Sequence, residues 1–244
     1  MNPAAARPVR LRLVETFALV VDGAEVPLAE GARRVLAFLA LGSGPMIRSY
    51  VAYTLWPDTP ESRSLGYLRA ALWRLRKAGD DLVEESSGRL RAGAGVRVDV
   101  REALDLARCI LAGGDPGPTG EACRRLSCGD LLADWYEPWL TEPREQLRQL
   151  RLHALEELSA RELDRGRIPS AIESALAAVA AEPLRESAHR LLIRAHLAEA
   201  NAAEALRQYE QFRALLFGEL GILPSTRIEE LLIPIRGGRA LRAG

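Results

Sequence analysis

The second half of this sequence repeats itself with a period of 34 residues, and this self-similarity restricts its fold more than any other feature. A shift of 34 aligns Ala154 with Ala188, Leu158 with Leu192, Leu163 with Leu197, Ala171 with Ala205 and Ile172 with Leu206. Glu182-Pro183 closes the first unit. Small residues where helices cross, with leucines between them, build a helix pair that leaves an apolar face exposed, so neighbouring pairs must stack to bury it. From Val100 onward the pattern reads as helical throughout, with about three stacked pairs of tetratricopeptide type between Val100 and Leu232.

The first hundred residues follow a different rhythm. Arg10 to Val14 and Phe17 to Val21 are strand-like, Asp22-Gly23 is a hairpin turn signal, and Glu25 to Leu28 is the returning strand. A helical period with Val35, Leu36, Leu39 and Ala40 on one face stops at Gly42-Ser43-Gly44-Pro45. A second helix, about Arg48 to Leu55, ends before Trp56-Pro57, because the residue before Pro is pushed out of the helical region. Thr59-Pro60-Glu61 reads as a helix start, with Thr59 as capping hydroxyl and Pro60 at the first helical position, and the helix runs to about Ala78. Leu82 to Arg91 reads as a hairpin turning at Ser86-Ser87-Gly88, and Val96-Arg97-Val98 as one more strand. Strands, three helices and a hairpin in this order give a winged helix-turn-helix. The fold class expected is mainly α with a small β component, a winged helix over residues 9–99 followed by an all-α repeat domain over 100–235.

On the third helix Leu65, Leu68, Leu72 and Leu75 form an inward stripe. The opposite side collects Arg63, Gly66, Ala70, Trp73, Arg74 and Lys77, with Arg69 and Arg76 nearer the flanks. Net charge is zero over the whole chain, yet Ser62–Gly79 holds five basic residues and no acidic one. Screening confines fields to about 10 Å, so this local excess matters more for phosphate contact than the chain average. A helix whose outer face carries Arg, Lys and small residues can lie in a major groove, although by itself such a face is more often a solvated one, and it is the hairpin downstream that favours the groove. Arg89 and Arg91, alternating beside the hairpin turn, sit where a wing would reach the minor groove or backbone. Trp56 reads as core between the second and third helices. Trp73 either faces outward or packs on the wing.

Other chemistry is sparse. Cys109, Cys123 and Cys128 form no CxxC pair and share no metal-ligand spacing with the histidines, so neither metal nor cofactor is expected. The loop Gly113 to Pro118 lacks the Lys-Ser/Thr of a phosphate cradle, and no catalytic motif stands out, so the chain is not read as an enzyme. Trp135, Tyr136 and Trp139 read as an interdomain or inter-helix core, or else as a ligand-binding aromatic cluster. His189 and His196 read as packing or surface residues. No apolar run approaches a membrane span and no signal-peptide pattern opens the chain, which points to the cytoplasm.

Leu55-Trp56-Pro57, Leu68 through Arg76, and Val96-Arg97-Val98-Asp99 resemble the Streptomyces antibiotic regulatory protein family, activators with an OmpR-type DNA-binding domain. Trp135 through Trp139, Leu150 through Leu155, Pro183 through His189, Glu204 through Tyr209 and Glu219 through Ser225 resemble the bacterial transcriptional activator domain of the same proteins. The resemblance implies activation of a secondary-metabolite gene cluster. Two protomers would sit side by side on promoter direct repeats and recruit RNA polymerase holoenzyme through its sigma factor and alpha subunit. It places Arg69, Arg74, Arg76 and Lys77 in the recognition helix, Arg89 and Arg91 in the wing, and Tyr67 near the groove, where small members commonly carry Asn. The alternative is a helical-repeat adaptor whose winged helix serves protein contacts.

Overall fold

The computed structural model describes residues 8–79, 81–127 and 129–234; Cys128 and residue 235 lie outside them. The strands β1 (Val9–Arg12), β2 (Ala18–Val21) and β3 (Ala24–Glu25) are followed by helix α1 (Glu30–Leu41), strand β4 (Met46–Ile47), and helices α2 (Arg48–Leu55) and α3 (Glu61–Ala78). Strands β5 (Val83–Ser86), β6 (Arg89–Ala92) and β7 (Val96–Val98) come next. Helices α4 (Asp99–Leu111), α5 (Thr119–Leu126), α6 (Thr141–Asp164), α7 (Ile168–Ala181), α8 (Glu186–Ala198), α9 (Ala202–Leu220) and α10 (Thr226–Glu230) follow among the described residues.

Packing divides it into two compact units. One holds the described residues through Leu104 together with 129–147; the other holds 105–127 and 148–234. In the first unit a four-stranded sheet runs β3-β2-β1-β7, with β1 and β2 antiparallel and β1 and β7 parallel. Val9 and Leu11 point into the core while Arg10 and Arg12 face out, the period-2 pattern of a sheet with one buried face. A second sheet, β4-β6-β5, carries the hairpin. Helices α1, α2 and α3 bury Leu36, Leu39, Leu55, Leu68 and Leu75 against both. This is the winged helix-turn-helix arrangement that the sequence implies.

Some expectations need correction. The start of α3 is not capped by Thr59: Pro60 is the N-cap, in extended conformation, and no side chain caps it. Ser64 instead turns its hydroxyl back to the Glu61 carbonyl at 2.9 Å. Strand β4 escaped the sequence, since two residues show no alternation. The region after Val100 is not helical throughout: Leu131 bridges Val14, and Leu132 and Ala133 donate backbone hydrogen bonds to Leu13 and Glu15 at 2.8 and 2.9 Å.

In the second unit the 34-residue repeat is realised in burial. Ala154 and Ala188, and Ala171 and Ala205, are fully buried, as are Leu158 and Leu192 to within 2%. The described residues form three helix pairs, α4 with α5, α6 with α7 and α8 with α9, followed by the short α10. Arg185 forks onto Glu156 at 2.7 and 2.9 Å, and the Ser187 hydroxyl donates to the same carboxylate. His189 is buried between α8 and α9. Its ring stacks on Phe212 with centroids 4.1 Å apart; Nε2 lies 2.8 Å from the Pro183 carbonyl and Nδ1 2.8 Å from the Gln208 amide. That pairing suits a neutral ring that donates from Nε2 and accepts at Nδ1. His196 is half-buried. Among the described residues, no helix is long and apolar enough to cross a membrane.

Burial holds the His189 pKa below its ordinary value of 6.5. The unfolded chain therefore takes up this proton first as pH falls, and the stability contributed by neutral His189 is lost from pH near 6.5 downward. His189→Gln, which cannot titrate, should flatten that part of a stability profile measured by urea unfolding between pH 7.5 and 5. Phe212→Ala should lower stability by about 3–5 kcal/mol at neutral pH.

Candidate nucleic-acid interface

Helix α3 spans 18 residues, about 27 Å at 1.5 Å per residue. Its inner face is Ser64, Leu68, Ala71, Leu72 and Leu75, all buried, with Leu65 half-buried against the same core. Steps of 100° place the remaining residues on one continuous outer arc. Arg63, Tyr67, Arg69, Ala70, Trp73, Arg74, Arg76 and Lys77 are all exposed there. The structure thus brings all eight helix residues singled out in the sequence onto one face.

Trp73 is 62% exposed, and the Lys77 ammonium lies 5.3 Å from its ring centroid, a cation–π pair on the helix surface rather than a contact with the wing. Tyr67, 45% exposed, rests against Trp56 with ring centroids 5.8 Å apart. Trp56 is half-buried between α1 and α3.

The wing is the hairpin β5–β6. Its two-residue turn has positive φ at Ser87 (50°) and Gly88 (71°), the mirror-image turn whose twist matches that of paired strands. Gly88 tolerates this conformation without strain. The turn fixes the register: Ser86 opposite Arg89, Glu85 opposite Leu90, Glu84 opposite Arg91. Leu90 enters the core, so Arg89 and Arg91 share the outer face.

Two carboxylates missed in the sequence lie among these cations. Glu84 accepts from Arg91 Nε at 2.7 Å and from the Ala94 backbone N–H at 2.7 Å. Glu85 takes Arg48 at 2.6 Å with one oxygen and Arg76 at 3.1 Å with the other, joining the starts of α2 and the wing to the end of α3. The signal was present: a two-residue turn at Ser87-Gly88 forces Glu84 opposite Arg91. Among the described residues Arg89 donates to the Pro45 carbonyl, at 3.4 Å, and to no carboxylate. Among the described residues Arg63, Arg69 and Arg74 have no carboxylate partner. The face therefore combines unpaired guanidinium groups with others already held by internal anions.

The remaining candidate residues have structural roles or none. Trp135 stacks on Phe17 at 6.0 Å, and Trp139 meets Phe38 edge-on at 5.2 Å, so the aromatic cluster is core of the first unit, while Tyr136 is 95% exposed. Cys123 is buried with Sγ 3.2 Å from the Ser174 hydroxyl, and burial pushes its thiol pKa up; Cys109 is exposed. Among the described residues no cluster of His, Cys, Asp or Glu is placed to hold a metal ion.

Residues 98–236 match the family described as "Bacterial transcriptional activator domain". The chain is 34% identical over 209 residues to "Regulatory protein AfsR" of Streptomyces coelicolor, covering 82% of this chain and 21% of that protein. A relative of the same name from Streptomyces griseus is 32% identical over 189 residues, 72% of this chain and 19% of its own length. The chain thus spans about a fifth of these relatives. Among solved structures it resembles Mycobacterium tuberculosis EmbR, described in complex with a low-affinity phosphopeptide. That likeness has a TM-score of 0.68 at 23% identity, over 92% of this chain and 64% of that one, and bears on the fold alone.

Hydrogen bonds from the Ala94 amide and then from Arg91 draw the Glu84 pKa below its ordinary value of 4.5. Its pairing is complete above that value and is lost as pH falls through the lowered one. Carboxyl-selective NMR titration should find Glu84 titrating below 4.5, and Arg91→Ala should move its midpoint back toward the ordinary value.

Proposed function

The chain belongs to the Streptomyces antibiotic regulatory protein family of transcriptional activators, and from that premise we propose that it activates transcription by binding promoter DNA through α3 and the β5–β6 wing. The observation that carries this reading is the outer face of α3, where Arg63, Arg69 and Arg74 are exposed with no internal carboxylate, around the small Ala70. Guanidinium groups on such a helix can fork onto guanine edges or clasp phosphates, and Ala70 lets the backbone approach closely. Arg89 and Arg91 on the wing suit the flanking backbone or minor groove.

In this proposal Tyr67 supplies flat apolar contact at the margin and Trp73 near the middle of the face, and Arg76 and Lys77 add phosphate contacts. Residues 9–99 act as the DNA-binding domain and 100–235 as the activator domain. Two protomers bind side by side on direct repeats, recruit RNA polymerase holoenzyme through its sigma factor and alpha subunit, and switch on a secondary-metabolite gene cluster in the cytoplasm. A second reading, a protein-interaction adaptor, is favoured by one observation: α2 leaves Tyr50 and Tyr53 52% and 71% exposed.

Fluorescence anisotropy with duplexes recovered by in-vitro selection separates the two. Binding should weaken steeply with salt. Arg74→Ala should cost about 1–3 kcal/mol and relax preference at one base position, while Lys77→Ala should weaken all duplexes alike and reduce the salt slope by about one. Recovery of no preferred sequence, with equal affinity for random duplex, would favour the adaptor.

A further inference from the structure

Glu137 stands outside the strands and helices of the winged helix, in the segment leading into α6, yet its carboxylate is linked to the outer face of α3 through two side chains. Arg34 of α1 donates from Nη2 to Oε2 at 2.8 Å, while its Nε faces Oε1 at 2.7 Å as an ion-pair contact without hydrogen-bond geometry, and Oε2 also accepts from the Trp139 indole N–H at 3.0 Å. Both charged side chains are only 19% exposed. Arg34 Nη2 donates in turn to the Leu55 carbonyl at 2.6 Å, placing a cation at the carboxyl end of α2, and its Cζ stands 5.8 Å over the Trp56 ring. The ring of Tyr67 also lies against Trp56, with centroids 5.8 Å apart.

The chemistry of each link is directional. Arg34 Nη2 is bonded both to the Glu137 carboxylate and to the Leu55 carbonyl, which together set the plane of the guanidinium group, and the plane decides whether it can also lie over an indole. The backbone of Trp56 is held, its N–H bonded to Ala52 and its carbonyl accepting from Thr59 at 3.0 and 3.2 Å, so the direction of the indole is left to what packs on its faces. Tyr67 has few rigid neighbours on its helix, since Ala70 is small and Arg63 is long and exposed. The indole is the firm surface on which the phenol ring rests.

We propose that Glu137 is a positioning residue for the DNA-facing helix: it orients Arg34, and through Arg34 and Trp56 it sets the direction of the Tyr67 ring. The proposal rests on the DNA-binding reading given above. It makes a residue beyond the wing part of the apparatus that determines how α3 meets a groove.

The test uses the full chain labelled with 5-fluorotryptophan. Four tryptophans give four fluorine resonances, and Trp56→Phe assigns that of Trp56. Without DNA, Glu137→Ala should shift or broaden the Trp56 resonance. With a duplex selected by the unaltered chain, it should weaken binding about tenfold, and combination with Tyr67→Ala should cost less than the two changes added separately. Tyr67→Phe, which keeps the ring, should retain the dependence on Glu137. Glu137→Gln, which keeps an acceptor, should stay within about threefold of the unaltered chain. Should Glu137→Ala fail to fold, Arg34→Lys keeps the charge but not the fork and is expected to move both signals. An unmoved Trp56 resonance, or full additivity with Tyr67→Ala, overturns the proposal. An unaltered chain that binds no duplex overturns the DNA-binding reading instead, and the DNA-free resonance then decides the Glu137–Arg34–Trp56 link alone.

Discussion

Asp99 gives both carboxylate oxygens to the backbone amide of Leu13, at 2.9 and 3.0 Å, one of them also to Val14 at 3.1 Å and the other to Val100 at 2.7 Å. It follows β7 directly, opens α4, and satisfies the amides just past the paired length of β1. Without it the amides where β1 leaves its sheet would lose their acceptor at the edge of the core, a loss that costs about 1–3 kcal/mol per group. The carbonyls of Leu13 and Glu15 then accept from Leu132 and Ala133. Residues 13–15 thus bind Asp99 at the start of α4 and the segment at 130–133. The contribution of that segment to the core of the first unit, through Leu131 and Leu132, depends on this junction.

Arginine in this chain serves two purposes that composition does not separate. Arg101 caps the carboxyl end of α1, donating to Ala40 at 2.7 Å and Gly42 at 3.2 Å. Arg144 gathers the carbonyls of Leu131, Leu132 and Trp135, and Arg151 takes that of Leu126. These guanidinium groups satisfy helix and loop carbonyls that would otherwise lack donors. A count of basic residues along the chain therefore overstates the charge available to a partner, whereas the acid-free run over α3 identifies it.

What could be read in advance follows from range. The outer arc of α3 is a matter of 100° steps, and every residue placed on it in the sequence is exposed in the structure except Gly66, which is half-buried. The wing register follows from one two-residue turn. The repeat was legible because Ala154 and Ala188 meet the same crowding one unit apart. Illegible features depend on residues far apart in sequence: Glu137 and Arg34 are separated by 103 positions, and nothing local to either marks the other as its partner. The same holds for Trp135 and Phe17. Strand β4 was missed because two residues carry no period, and the expected Thr59 cap lies one residue too early because Pro60, with ψ 142°, is itself the residue that precedes the first helical turn.

Glu84 and Glu85 give the wing the character of an ion exchanger. Arg91, Arg76 and Arg48 already have anionic partners within the protein, so a phosphate arriving at Arg91 or Arg76 displaces a carboxylate as well as water. The salt dependence of a DNA contact arises from counterions set free in solution, and a swap between two fixed anions frees fewer of them. On a DNA-binding reading, the arginines of α3 without carboxylates govern how ionic strength acts on the complex. The wing would contribute mainly where its shape fits the duplex well enough to win the exchange.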